Sequence, residues 1–99
     1  MRLTAEQART IRRIADEEAG AESVVCLFGS RLDTAARGGD IDLLLQMPRA
    51  IDNPALFSAR IAARLMRALG GRRVDVLLSA PNLKMLPIHE IAAAEGVRL

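Results

Sequence analysis

Three aspartates in this chain stand where aliphatic residues otherwise prevail. Asp40 and Asp42 flank Ile41 at the head of an apolar run that ends at Leu45, and Asp75 interrupts a second run from Val74 to Leu78. Along a strand, side chains at i and i+2 leave the same face. Asp40 and Asp42 therefore point together, roughly 6.5–7 Å apart at the backbone, while Ile41 and Leu43 face the core. Carboxylates left unpaired on one face repel each other. Oxygen-seeking divalent cations resolve that repulsion, and Mg²⁺ is the usual one beside a triphosphate. With Asp75 supplied by a neighbouring strand, three carboxylates can hold two ions ~3.5–4 Å apart. That is the separation needed to clamp the attacking and leaving oxygens of an in-line displacement.

A phosphate-binding feature precedes the pair. The run Ser23 to Phe28 ends in Gly29-Ser30, and the spacer 31–39 separates that turn from Asp40. Gly29 lets the backbone approach a triphosphate closely, and the amides after it open a helix whose N-terminus attracts anions. Ser30 is read as a hydrogen-bond partner of the terminal phosphates, with Arg31 and Arg37 as candidates to neutralise them. Each residue also has a plainer reading. Ser30 could cap a helix, Asp40 could close the Gly38-Gly39 turn, and Asp33 is read as a solvated helix-start residue. Specificity lies in their joint occurrence, in order, each following or opening an apolar strand.

Gly29-Ser30, a spacer, Asp40-Ile41-Asp42 and Asp75 resemble the pattern of the nucleotidyltransferase superfamily that includes DNA polymerase beta and kanamycin nucleotidyltransferase. In size the chain looks most like the minimal nucleotidyltransferases. The resemblance implies a polymerase-beta-like core and Mg²⁺-dependent transfer of a nucleoside monophosphate, AMP from ATP, to an acceptor hydroxyl. It implies that Asp40 and Asp42 ligate both of two Mg²⁺ ions. Asp75 would ligate mainly the ion at the attacking hydroxyl and help deprotonate it, and Gly29, Ser30 and Arg31 would bind the nucleotide. Minimal nucleotidyltransferases are typically paired with a small helical HEPN protein, often a ribonuclease toxin. The transferase can then act as antitoxin by adding AMP to a tyrosine of its partner. This chain contains no tyrosine and cannot be its own tyrosine acceptor. It departs from many relatives in a shorter spacer, with Arg37-Gly38-Gly39 immediately before Asp40. Two rival readings stand beside transfer to a partner protein. One is a non-catalytic module that neutralises its partner by contact; the other is transfer to a small molecule such as an aminoglycoside.

Composition agrees with a single small globular domain. The 99 residues, 51% of them apolar, allow one domain, 1–99, and one modest core. No run approaches the eighteen or so apolar residues that cross a bilayer, and no secretory signal is evident, so a cytoplasmic protein is expected. Net charge is +2, and Lys84 is the only lysine among 14 basic residues. Arg60, Arg64 and Arg67 recur at helical spacing and are read as the solvated side of a helix. Nucleic-acid binding is not expected, because only Phe28 and Phe57 could stack on bases. The lone Cys26 is read as a buried core thiol, and Met47, Met66 and Met85 as packing filler. Lys84 is read as a solvated surface charge and His89 as a surface or capping residue. An acceptor-binding domain finds no room, so a second protein or a second copy of the chain must present the acceptor.

The elements that must position these residues follow from periodicity. Thr4 and Gln7 form a capping box before a helix carrying Ala8, Ile11, Ile14 and Ala15 on one face, ended by Gly20. Ser23–Phe28 is the first strand, Arg31–Ala36 a short helix, and Asp40–Gln46 the second strand. Asn53 caps a second long helix with Pro54 at its first position and Phe57, Ile61, Leu65 and Ala68 or Leu69 as its stripe. Gly70-Gly71 stops it. Arg73–Leu78 is the third strand, and Pro87 opens a last helix ending near Gly96. An α/β fold follows, with a mixed three-stranded sheet flanked by helices. Bringing Gly29-Ser30 beside Asp40 and Asp42 requires strands one and two to run antiparallel. Bringing Asp75 to the same end requires strand three parallel to strand two, across a helical crossover.

Overall fold

A reciprocal cap starts the first helix, α1 (Ala5–Ala19). The Gln7 amide donates to Thr4 Oγ1 at 3.0 Å, and the Thr4 amide donates to Gln7 Oε1 at 2.9 Å. Two donors that a helix N-terminus leaves over are thereby satisfied. The structure, a computed structural model, describes residues 3–28 and 40–99. After α1 come β1 (Val24–Phe28), β2 (Ile41–Gln46), α2 (Pro54–Ala68), β3 (Val74–Ser79), α3 (Pro87–Glu95) and β4 (Val97–Arg98). The expected short helix 31–36 and the Gly38-Gly39 turn lie outside the described residues.

At the start of α2, Asn53 Oδ1 accepts the Leu56 amide at 3.2 Å. Pro54 fits the first position because its missing N–H would have had no intrahelical partner. Gly70 and Gly71 follow with φ of +73° and +87°. That left-handed backbone strains any residue bearing a Cβ, so the helix stops and the chain turns into β3.

The sheet order is β3-β2-β1-β4. β1 pairs antiparallel with β2, Phe28 opposite Asp42, and β2 pairs parallel with β3, Asp42 opposite Asp75. These are the directions that the positions of the polar residues demanded, with α2 as the crossover. The strand count differs from the expected three. β4 pairs antiparallel with β1 at Cys26 and Leu27, and the Leu99 amide donates to the Val25 carbonyl at 2.9 Å. A two-residue strand has no alternation to read; the return of the chain past α3 creates it.

Alternation along the strands separates two faces. Val25, Leu27, Ile41, Leu43 and Leu45 point to α1 and α2 and close the main core with Ile11, Ile14, Ile61 and Leu65. Each such side chain contributes about 1.5–3 kcal/mol when fully buried. Leu69 rather than Ala68 completes the α2 stripe, since Leu69 is buried and Ala68 exposed. On the opposite face Cys26, Leu44 and Ala92 of α3 form a smaller core with Val24, Phe28 and Leu77 packed against it. Asp42 shares parity with Leu44, and Asp75 with Leu77, so both carboxylates belong to the α3 face.

Two arginines of the expected solvated stripe also make ion pairs, although Arg60 stays exposed as expected. Arg64 pairs with Glu17 and, at 2.9 Å, with Glu18; Arg60 reaches Glu18 at 3.2 Å. They fasten α2 to α1 at the rim, and Arg67, like Arg60, is exposed. Hydrogen bonding to Arg64 holds the Glu17 carboxyl below the usual carboxylate range, and the same bond raises Arg64. No helix among the described residues is long and apolar enough to cross a membrane.

Candidate functional site

The strand directions bring the C-terminal end of β1 and the N-terminal ends of β2 and β3 to one edge of the sheet. β1 ends at Phe28, beside Asp42, so it carries the chain to that edge immediately before Gly29 and Ser30. Gly29, Ser30 and Arg31, the expected phosphate-binding residues, lie outside the described residues, as do Asp33 and Arg37. Asp40 stands one residue before β2 rather than within it, and the next amide, Ile41, donates to the Arg73 carbonyl at 2.9 Å.

Two-residue parity gives Asp40 and Asp42 one face of β2, and Arg73 and Asp75 the matching face of β3. The result is a small grid of three carboxylates and one guanidinium. Arg73 Nε lies 3.8 Å from Asp40 Oδ2 and 3.6 Å from Asp75 Oδ1. The Asp40 and Asp75 side chains are 52% and 51% exposed, so water screens both contacts. Asp42 and Asp75 open onto a cleft of about 490 Å³, also lined by Phe28, Val76, Leu77 and Ile88. Ile88 comes from the first turn of α3, which covers the rest of this face.

Such a surface rejects a polyanion until positive charge is supplied. Three carboxylates are hard oxygen donors of the kind Mg²⁺ and Mn²⁺ take. Among the described residues, no three His, Cys, Asp or Glu side chains are drawn close enough together to hold an ion. Arg73 lies between two of the three aspartates, where a cation would otherwise balance them. By donor chemistry the carboxylates suit a divalent ion, while in this arrangement an arginine supplies the charge beside them. Sequence reading assigned Arg73 no role. Its signal was there: it stands two residues before Asp75 and shares its parity.

His89 is a cap, as one of its two expected roles had it, and it is buried at 6% exposure. Its Nδ1 accepts the Leu86 amide at 3.0 Å, and its Nε2 lies 2.9 Å from the Leu78 carbonyl. Both bonds are satisfied by the neutral Nε2–H tautomer, which accepts at one nitrogen and donates from the other. The imidazole thus ties the start of α3 to β3 and seats Ile88 at the cleft. Met47 and Met66 pack against the main core as expected. Met85 does not: it is exposed, as are Leu86 just before α3 and Ile88 and Ile91 on the outer side of α3. Lys84 is exposed. Cys26 is buried, and that burial pushes its thiol up, against a smaller opposing effect of Arg98.

No family model matches the chain, and no curated protein matches it in sequence. Solved structures match it in fold. A chain in the crystal structure of the toxin–antitoxin MntA-HepT superposes with a TM-score of 0.67 at 19% identity, covering 96% of this chain and 70% of that one. A mutant of that assembly, with two aspartates separated by one residue changed to glutamate, gives a TM-score of 0.69 at 19% identity, covering 92% of this chain and 70% of that one. A toxin–antitoxin crystal structure with AMP-PNP gives 0.70 at 22% identity, again over 92% and 70% of the two chains. At these identities the likeness establishes the fold. This chain is a mixed α/β protein with the architecture of those toxin–antitoxin chains, in agreement with the mixed sheet flanked by helices expected from its sequence.

Proposed function

We propose that this chain is a minimal nucleotidyltransferase that transfers AMP from ATP to a hydroxyl of a partner protein, as the antitoxin of a toxin–antitoxin pair. The observation that carries the reading is the pairing of Asp42 with Asp75 across β2 and β3, with Asp40 and Arg73 just before those strands, at the end of the sheet where β1 finishes. The fold shared with toxin–antitoxin chains, one of them in a structure with AMP-PNP, supports it. Residues 1–99 act as one nucleotidyltransferase domain in the cytoplasm, and the partner is a helical HEPN-type toxin.

Asp40 and Asp42 would hold two divalent ions jointly, and Asp75 the one on the acceptor side. When bound, such ions neutralise the triphosphate and lower the pKa of the acceptor hydroxyl. Gly29, Ser30 and Arg31 would hold the phosphates in line. In the transfer the acceptor oxygen bonds to the α-phosphorus, the bond to the β-phosphate oxygen breaks, and pyrophosphate leaves. Asp75 would take the hydroxyl proton. The half-exposed position of Asp75 leaves room for an acceptor carried by another protein.

A second reading has its own observation. Met85, Leu86, Ile88 and Ile91 leave an apolar surface open beside the cleft, which suits neutralisation by contact alone. Incubation with α-labelled ATP, Mg²⁺ and the protein encoded beside this chain separates the two. Label on that protein with matching pyrophosphate release is expected. Inhibition of the neighbour without any label transfer would favour contact alone.

A further inference from the structure

Arg73 has no part in the chemistry proposed above, yet it sits among the groups that would perform it. Its guanidinium reaches both Asp40 and Asp75, and its side chain is 69% exposed, so it contributes charge there rather than packing. That charge acts with opposite sign on the two species the site would receive. A bare divalent cation competes with Arg73 for the same carboxylates and is repelled by it. A metal–nucleotide complex that keeps net negative charge is attracted.

We infer that Arg73 couples metal occupancy to nucleotide occupancy: it disfavours metal ions arriving alone and favours those arriving on a nucleoside triphosphate. This rests on the metal-site reading above. One unit charge a few ångströms away in a solvent-exposed site changes each affinity by about threefold to fivefold. The coupling weakens with added salt, as interactions between exposed charges do.

The test titrates the metal-free chain with Mn²⁺ alone, and separately with the one-to-one Mn²⁺·AMP-PNP complex, which carries a net negative charge and cannot transfer AMP. Arg73→Ala is expected to bind bare Mn²⁺ about threefold more tightly and the complex about threefold more weakly than wild type. Arg73→Lys retains the charge and should lie close to wild type in both titrations. Because the two shifts oppose each other, a general loosening of the fold cannot imitate them. Shifts of the same sign, or none, in Arg73→Ala overturn the inference. If Mn²⁺ still binds and Asp42→Asn abolishes that binding, the metal-site reading survives such a failure. If no protein in the series binds Mn²⁺, both fall.

Discussion

Replacing Asp75 by Asn separates the energetics of folding from those of the proposed chemistry. The side chain keeps its size and loses one negative charge. Its contact with Arg73 is 3.6 Å long and half-exposed, so its loss removes about 0.5 kcal/mol. The same change relieves repulsion from Asp42, its cross-strand partner. Carboxylates at the ~4.8 Å spacing of adjacent strands repel by about 0.8–0.9 kcal/mol in water. These effects nearly cancel. Stability should move by less than about 0.5 kcal/mol, or about 4 °C in melting temperature for a domain of this size. Transfer should respond differently, because metal charge is worth several kcal/mol in a phosphoryl transition state, and each 1.36 kcal/mol is a factor of ten. Loss of one ligand predicts a rate lower by on the order of 10²–10³, with nucleotide affinity reduced far less. Thermal unfolding followed by circular dichroism reads the first quantity, and single-turnover transfer of labelled AMP to the partner reads the second. Wild-type transfer by a folded Asp75→Asn protein would refute the assignment of Asp75. A melting temperature lowered by more than 10 °C would refute the charge balance.

Other perturbations probe the frame around the site. His89→Ala leaves the Leu86 amide and the Leu78 carbonyl without their side-chain partner, which should destabilise by about 2–3 kcal/mol and lower the melting temperature by roughly 10–20 °C; a loss below 1 kcal/mol would show that α3 is held by other means. Because Arg64 depresses the folded-state pKa of Glu17, that pair stabilises fully above the ordinary carboxylate range, and its contribution is lost as pH falls through the lowered value. Urea midpoints of wild type and Glu17→Gln should therefore differ at pH 7 and converge in acid, and a difference independent of pH would remove the linkage. Cys26, buried with its thiol pushed up, should react with a disulfide reagent far more slowly in the native protein than in denaturant; equal rates would place the thiol at the surface.

Much of this protein was legible in its linear order, because local rules carry the information. Thr4 and Gln7 mark a helix start whatever surrounds them, Gly70-Gly71 admits a backbone that other residues resist, and alternation in 41–45 separates Asp42 from Leu43 before any sheet is built. Even the strand directions followed, since only one arrangement gathers Gly29-Ser30, Asp40, Asp42 and Asp75. Tertiary structure decided what depends on distance through space. It formed β4 from two residues with no pattern of their own. It paired Arg64 with Glu17 and Glu18 and Arg60 with Glu18, and it buried His89 between Leu86 and Leu78. It also set Arg73 between Asp40 and Asp75, a contact that depends on the register of two parallel strands joined by a long crossover. Periodicity tells which face a residue takes; only register tells which charge stands across from it.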